Sequence, residues 1–200
     1  MPAAVVPKIT AIGPGYLYRA PLGTLIPGTT NTGGDVVAGV FSDAWPVGWV
    51  LNGSTRDGSQ VSYETTSEGI IVAEYLDPLD EVTTGRNIGF AFDLATVTNK
   101  SYGLAFNGGT STTVSGATTT LLTKVSPPVV GAEVKTMLGW ESQDGTQRII
   151  FYQCLQAGNI QWSNQKAPNF QSFPLTFKVS QPATGNPFDI FLAGPTRIAS

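Results

Sequence analysis

Histidine is absent from all 200 residues, cysteine occurs once, and only 12% of the residues are charged. Most hydrolytic, transfer and redox sites need a group that titrates near neutral pH, a metal, or a nucleophile beside a base. Those groups are nearly missing, so neither enzymatic activity nor a metal or cofactor is expected. A single cysteine excludes an intrachain disulfide and leaves the redox compartment open. Long apolar runs are missing too. Pro7 and Lys8 interrupt the one candidate near the amino terminus, so no signal peptide, transmembrane helix or membrane insertion is expected.

What is present is β-forming. The chain carries 23 Gly, 14 Pro and 24 Thr among short apolar runs, and ten Phe supply a core. At this length one all-β domain spanning 1–200 is expected. The net charge of −3 conceals a split. Ten acids and two bases (Arg56, Arg86) lie between Asp35 and Asp93; four acids and nine bases lie elsewhere. Opposite patches of this kind suit contacts between copies, and the chain is not the uniformly basic one that nucleic-acid binding favours.

Residues 1–14 are Pro-rich and read as an extended arm, and 28–35, without an apolar residue, as a mobile loop. Strands are expected at 15–20, 36–41, 48–51, 60–66, 70–76, 88–92, 110–114 and 118–125, with a turn at Pro127-Pro128. One helix is expected over 93–106, with Asp93 as N-cap and Asn107-Gly108-Gly109 as its stop. Val134–Glu141 and Gln147–Leu155 form a hairpin around Asp144-Gly145. In its second strand Ile149, Phe151 and Leu155 alternate with Ile150, Tyr152 and Cys154, so both faces are covered. Leu175–Val179 and Phe188–Leu192 follow. The pattern predicts a mainly β fold, a sandwich or barrel-like architecture with one flanking helix.

Motifs with chemical potential are weak. Ser163-Asn164-Gln165-Lys166 matches S-x-x-K, but its two companion motifs fail: Ser42-Asp43-Ala44 and Lys135-Thr136-Met137 each miss the last residue. Asp77, Asp80 and Glu81 could gather oxygen ligands for Ca²⁺, although an Asp-Pro turn explains them without an ion. Glu64 and Glu74 could form a carboxylate pair on adjacent strands, in surroundings that look solvated. Trp45 and Trp49, in Trp45-Pro46-Val47-Gly48-Trp49, could stack on sugar in a carbohydrate-binding or adhesion module; core or subunit interface is the stronger reading. Cys154 reads as an inert buried thiol.

The sequence resembles the major tail proteins, or tail tube subunits, of long-tailed, siphovirus-type bacteriophages, especially those of actinobacteria. The resemblance rests on Gly15-Tyr-Leu-Tyr-Arg-Ala-Pro-Leu-Gly-Thr24, Ser42-Asp-Ala-Trp-Pro-Val-Gly-Trp49, Asp57-Gly-Ser-Gln-Val-Ser-Tyr-Glu64, Val72-Ala-Glu-Tyr-Leu-Asp-Pro78 and Thr83-Thr-Gly-Arg86, in that order and spacing. It implies a β-sandwich with a flanking helix, made in the host cytoplasm and assembled into the virion. Six copies would form a ring with a continuous β-barrel lumen. Rings would stack through arms and loops around a tape-measure protein, between terminator and tip proteins, and genomic double-stranded DNA would pass through without specific binding. On this reading Ser62, Glu64, Thr66 and Glu74 face the lumen, while Val61, Tyr63 and Thr65 face the protein core. Pro7, Thr29, Asn31, Asp35, Trp45 and Trp49 lie at subunit interfaces.

Overall fold

The computed structural model describes residues 15–28, 32–37, 39–70, 80–95, 98–115, 121–161 and 173–194. The arm over 1–14, Thr29, Asn31, Glu74, Asp77 and the Ser163–Lys166 motif lie outside them. Most of the described chain is strand: β1 (Gly15–Pro21), β2 (Val36–Val37), β3 (Val40–Phe41), β4 (Val50–Ile70), β5 (Asp80–Leu94), β6 (Thr110–Ser115), β7 (Leu121–Ser126), β8 (Thr136–Ser142), β9 (Gln147–Gln156), β10 (Phe173–Val179) and β11 (Phe188–Leu192). A single helix, α1 (Asn99–Ala105), stands among them. This is the mainly β, sandwich-like fold that the patterning predicts.

The main sheet is antiparallel and runs β10-β5-β4-β1-β8-β9-β11. β10 also pairs with β9, Phe177–Val179 opposite Gln156–Cys154, so six strands close on themselves and β11 extends β9. Period-two patterning fills the interior. On β10 Phe173, Leu175, Phe177 and Val179 are buried, and Pro174, Thr176 and Lys178 between them are exposed. The register sets these four opposite Leu94, Phe92, Phe90 and Ile88 of β5, all buried. Directly opposed residues share a face, so the two rows interlock. Phe90 stacks on Phe151 at 4.6 Å and Phe92 on Phe177 at 5.6 Å. Each phenylalanine so buried contributes about 1.5–3 kcal/mol.

β9 is covered on both faces, as its double alternation predicts. Ile149 and Phe151 enter the barrel interior. Ile150 and Tyr152 point outward into a second cluster with Ala20, Ile26, Trp45, Trp49, Met137 and Phe191. Cys154 departs from the simple alternation, for it packs with Ile149 and Phe151. The cause is a β-bulge. Between the pairs Thr136–Cys154 and Leu138–Phe151, β9 spends one residue more than β8, which turns Cys154 inward.

Three other local expectations are corrected. Asp93 does not cap the helix; it lies in β5, where its carboxylate accepts from the Phe173 N–H at 2.7 Å. The alternation Ile88, Phe90, Phe92 runs on through Leu94, so the strand claims the residue that helical spacing had used. Thr98 is the N-cap instead, in a capping box with Ser101. The expected stop holds: Asn107 is left-handed at φ 53°, and the Gly108 N–H donates to the Gly103 carbonyl at 2.8 Å. The expected strand 36–41 is a pair of two-residue strands, Val36–Val37 against Val40–Phe41, reversing through Gly39 at φ 82°. Finally, the segment expected at 60–66 is the middle of a 21-residue strand.

Candidate functional site

β4 and β5 form a hairpin with two unlike halves. The inner half belongs to the barrel, since β1 pairs β4 over Val50–Ser54 and β10 pairs β5 over Ile88–Leu94. β10 stays paired to β5 as far as Ile88, so among the described residues the two strands pair only with each other from Glu64–Asn87 outward to Ile70–Asp80. Every residue from Gln60 to Ile70 is exposed. The seven residues Glu64–Ile70 span about 23 Å, and with their partners on β5 they form a ribbon that projects beyond the barrel. Both of its outer edges present backbone N–H and C=O groups with no strand partner among the described residues. Such edges are templates for pairing with another chain.

The register assigns the ribbon's faces. Val61 is opposite Phe90, Tyr63 opposite Ile88 and Thr65 opposite Arg86. This row therefore lies on the core side of the sheet, but the core does not cover it: Val61 is 37% exposed and Tyr63 53%. The Tyr63 ring meets Phe188 edge-on, their centroids 6.3 Å apart. The row takes the core side of the sheet, as expected, but is left uncovered, because β1 stops pairing with β4 at Ser54.

Ser62, Glu64 and Thr66 take the opposite face, with Gly89, Asn87 and Gly85. Asn87 donates to Glu64 at 3.4 Å. Thr84 is an extra residue between the pairs Thr66–Gly85 and Ser67–Thr83, and beyond this bulge Glu68 and Ile70 continue the row opposite Val82 and Asp80. One face of the ribbon thus gathers Glu64, Glu68 and Asp80 with no cation. Glu68 and Asp80 are members the sequence reading missed; the bulge at Thr84 could not be foreseen from a run of exposed threonines.

The tryptophan pair is built into the chain. Trp49 is buried, and its indole N–H donates to the Leu25 carbonyl at 2.8 Å. Trp45 is half-buried, stacks on Tyr18 at 4.3 Å and donates to Glu141 at 2.6 Å. Gly139 lies beneath both rings, which a Cβ there would strike. An open aromatic platform for sugar would need these rings free.

Beside them sits a charge cluster that no motif announces. Arg148 of β9 is 1% exposed. It donates to Asp43 Oδ1 at 2.7 Å, to the Asp43 carbonyl at 2.7 Å, to Glu141 at 2.9 Å and to the Gly33 carbonyl at 3.2 Å. The Phe41 ring covers its guanidinium at 4.5 Å. Residues 32–35, the described end of the expected mobile loop, are therefore fastened. Gly33 is buried against Phe191 and donates to the Pro27 carbonyl at 2.9 Å, and the Asp35 N–H donates to Asp43 at 3.0 Å. Asp35 itself is exposed.

Two titratable groups of β9 are held in their protonated forms. Burial pushes the Cys154 thiol far up, against a small opposing pull from its Leu138 backbone hydrogen bond. Burial, then the hydrogen bond to Asp189 and its charge, push the Tyr152 phenol far up. Asp80 and Glu81 are exposed, and among the described residues no cluster of three His, Cys, Asp or Glu side chains could hold a metal. Among the described residues no helix is long and apolar enough to cross a membrane. No protein-family model and no curated protein matches this chain.

Proposed function

We propose that this chain is a structural subunit of a bacteriophage tail tube, assembling through its hairpin ribbon into hexameric rings that stack into a conduit for genomic DNA. The observation that carries the reading is the ribbon itself: two open edges, both faces exposed, and one face bearing Glu64, Glu68 and Asp80 without a cation. An exposed edge of this length in a monomer is an aggregation hazard. In a ring it is the joint. The outer edge of β4 in one copy pairs with the outer edge of β5 in the next, a heterologous contact that closes on itself.

The two faces then have separate tasks. Val61 and Tyr63 on the core side are covered by the neighbouring subunit. Ser62, Glu64 and Thr66, with Glu68 and Asp80, line a water-filled lumen. A conduit must let a polyanion slide, and each Lys– or Arg–phosphate contact would add affinity through counterion release. A wall of carboxylates repels phosphate. The barrel and the Arg148 cluster, which ties Gly33 and Asp43 to β9, form the base from which the ribbon projects. The resemblance to tail tube proteins adds the hexamer, the tape-measure protein, the terminator and tip proteins and the virion as the site of action.

Replacing residues 65–86 by Asn-Gly keeps the Glu64–Asn87 pair as the end of a short hairpin. The shortened chain should fold and remain monomeric in sedimentation at concentrations where the full chain assembles. Assembly by the shortened chain would remove the ribbon from the mechanism.

A further inference from the structure

Beside α1 lies a cavity of about 160 Å³ whose wall is rich in hydrogen-bond donors. Arg19 of β1, Asn99, Lys100 and Gly103 of α1, and Thr110 and Ser111 of β6 line it, and no acidic residue does. Arg19 is half-buried. Burial lowers its guanidinium from the ordinary arginine value, and no carboxylate acts on it in the opposite sense. Among the described residues the side chains of Arg19 and Lys100 make no hydrogen bond or ion pair. Arg148 shows the contrast, with two carboxylates and two carbonyls around it.

We propose that this cavity is an oxyanion site that takes a carboxylate or phosphate group between Arg19 and Lys100. A guanidinium withdrawn from water without a partner is costly, and an oxyanion removes that cost through paired, charge-assisted bonds. Arg19 presents a planar fork of donors suited to two oxygens. Ser111, opposite Val125 on the strand face that lines the cavity, and Asn99 supply neutral donors at the rim. Gly103 makes the arrangement possible: the Arg19 Nη1 atom lies 3.3 Å from where a Cβ would stand. The volume admits one such group. The oxyanion is either free in solution or a carboxylate of a second copy.

The test is thermal unfolding of the full chain in inorganic phosphate at tens of millimolar, against chloride at equal ionic strength. Phosphate should raise the wild-type Tm by about 2–4 °C. Arg19→Gln should abolish that shift. Ser111→Glu, which brings a carboxylate to the cavity from an exposed position, should raise the Tm without phosphate and abolish the response to it. A phosphate shift that persists in Arg19→Gln is the general salting effect on any fold and overturns the proposal, as does no shift in wild type. Sedimentation in the same buffers separates the two sources. Weaker self-association in phosphate identifies a neighbouring carboxylate as the occupant, and unchanged sedimentation identifies a free anion.

Discussion

Arg148 and Asp43, 105 residues apart in sequence, meet at 2.7 Å, with the guanidinium side chain 2% exposed and the carboxylate 19%. This pair fastens the segment between β1 and β4 to the outer face of β9. Breaking a buried pair leaves its partners' charge uncompensated. Arg148→Met should therefore cost about 3–5 kcal/mol. Adding Asp43→Asn and Glu141→Gln should recover part of the loss, because the stranded carboxylates are then neutral. Urea unfolding of the single and triple variants measures both.

Gly139 tests the tryptophan packing. A methyl group at this position meets the rings of Trp45 and Trp49, and the backbone of β8 cannot retreat between β1 and β9. Gly139→Ala should destabilise by roughly 1–3 kcal/mol and shift the tryptophan emission to the red. Unchanged stability and emission would place those rings elsewhere.

Asp144 gives the chain an acid-side dependence. Burial alone would raise its carboxyl, but hydrogen bonds with Ser142 and Thr146 outweigh burial and hold it below the usual carboxylate value. A lowered folded value means that the ionised form stabilises the fold above the unfolded pKa, about 3.9. That contribution is lost as pH falls through the folded value. The advantage of wild type over Asp144→Asn should be under about 1 kcal/mol, since solvent screens so open a group. It should be present at neutral pH and be lost progressively as pH falls below the unfolded value and through the lower folded one, as urea midpoints across the acid range will report.

Legibility in the sequence followed burial. β10 was readable because its alternation is strict, and the β8–β9 hairpin because two apolar runs flank the Asp144-Gly145 turn. The start of α1 was not, because Leu94 satisfies both a period of two and a period of 3.6. Cys154 was assigned to the wrong face because a bulge changes parity without leaving a sequence signal. The length of β4 was hidden for another reason: beyond Thr66 nothing covers either face, so no alternation is imposed. Glu64 was placed on the correct row relative to Val61 and Tyr63, but the openness of both rows and the company of Glu68 and Asp80 came only from the register. Arg148 was invisible as a hub, since Asp43 and Gly33 are more than 100 residues away in the chain and it carries no motif.

The acidic row leads to a prediction about DNA. Glu64→Lys places a cation among Glu68 and Asp80 on the proposed lumen wall. Tubes of this variant should bind or retard double-stranded DNA, and the effect should weaken as salt rises. DNA affinity equal to wild type would place Glu64 on the outer surface.

The most direct measurement is electron microscopy of the purified chain at high concentration. Pairing of β4 and β5 edges between copies predicts six-fold rings and stacked tubes with a central channel. A dispersed monomer at every concentration, its hairpin edges open to solvent, would contradict the account.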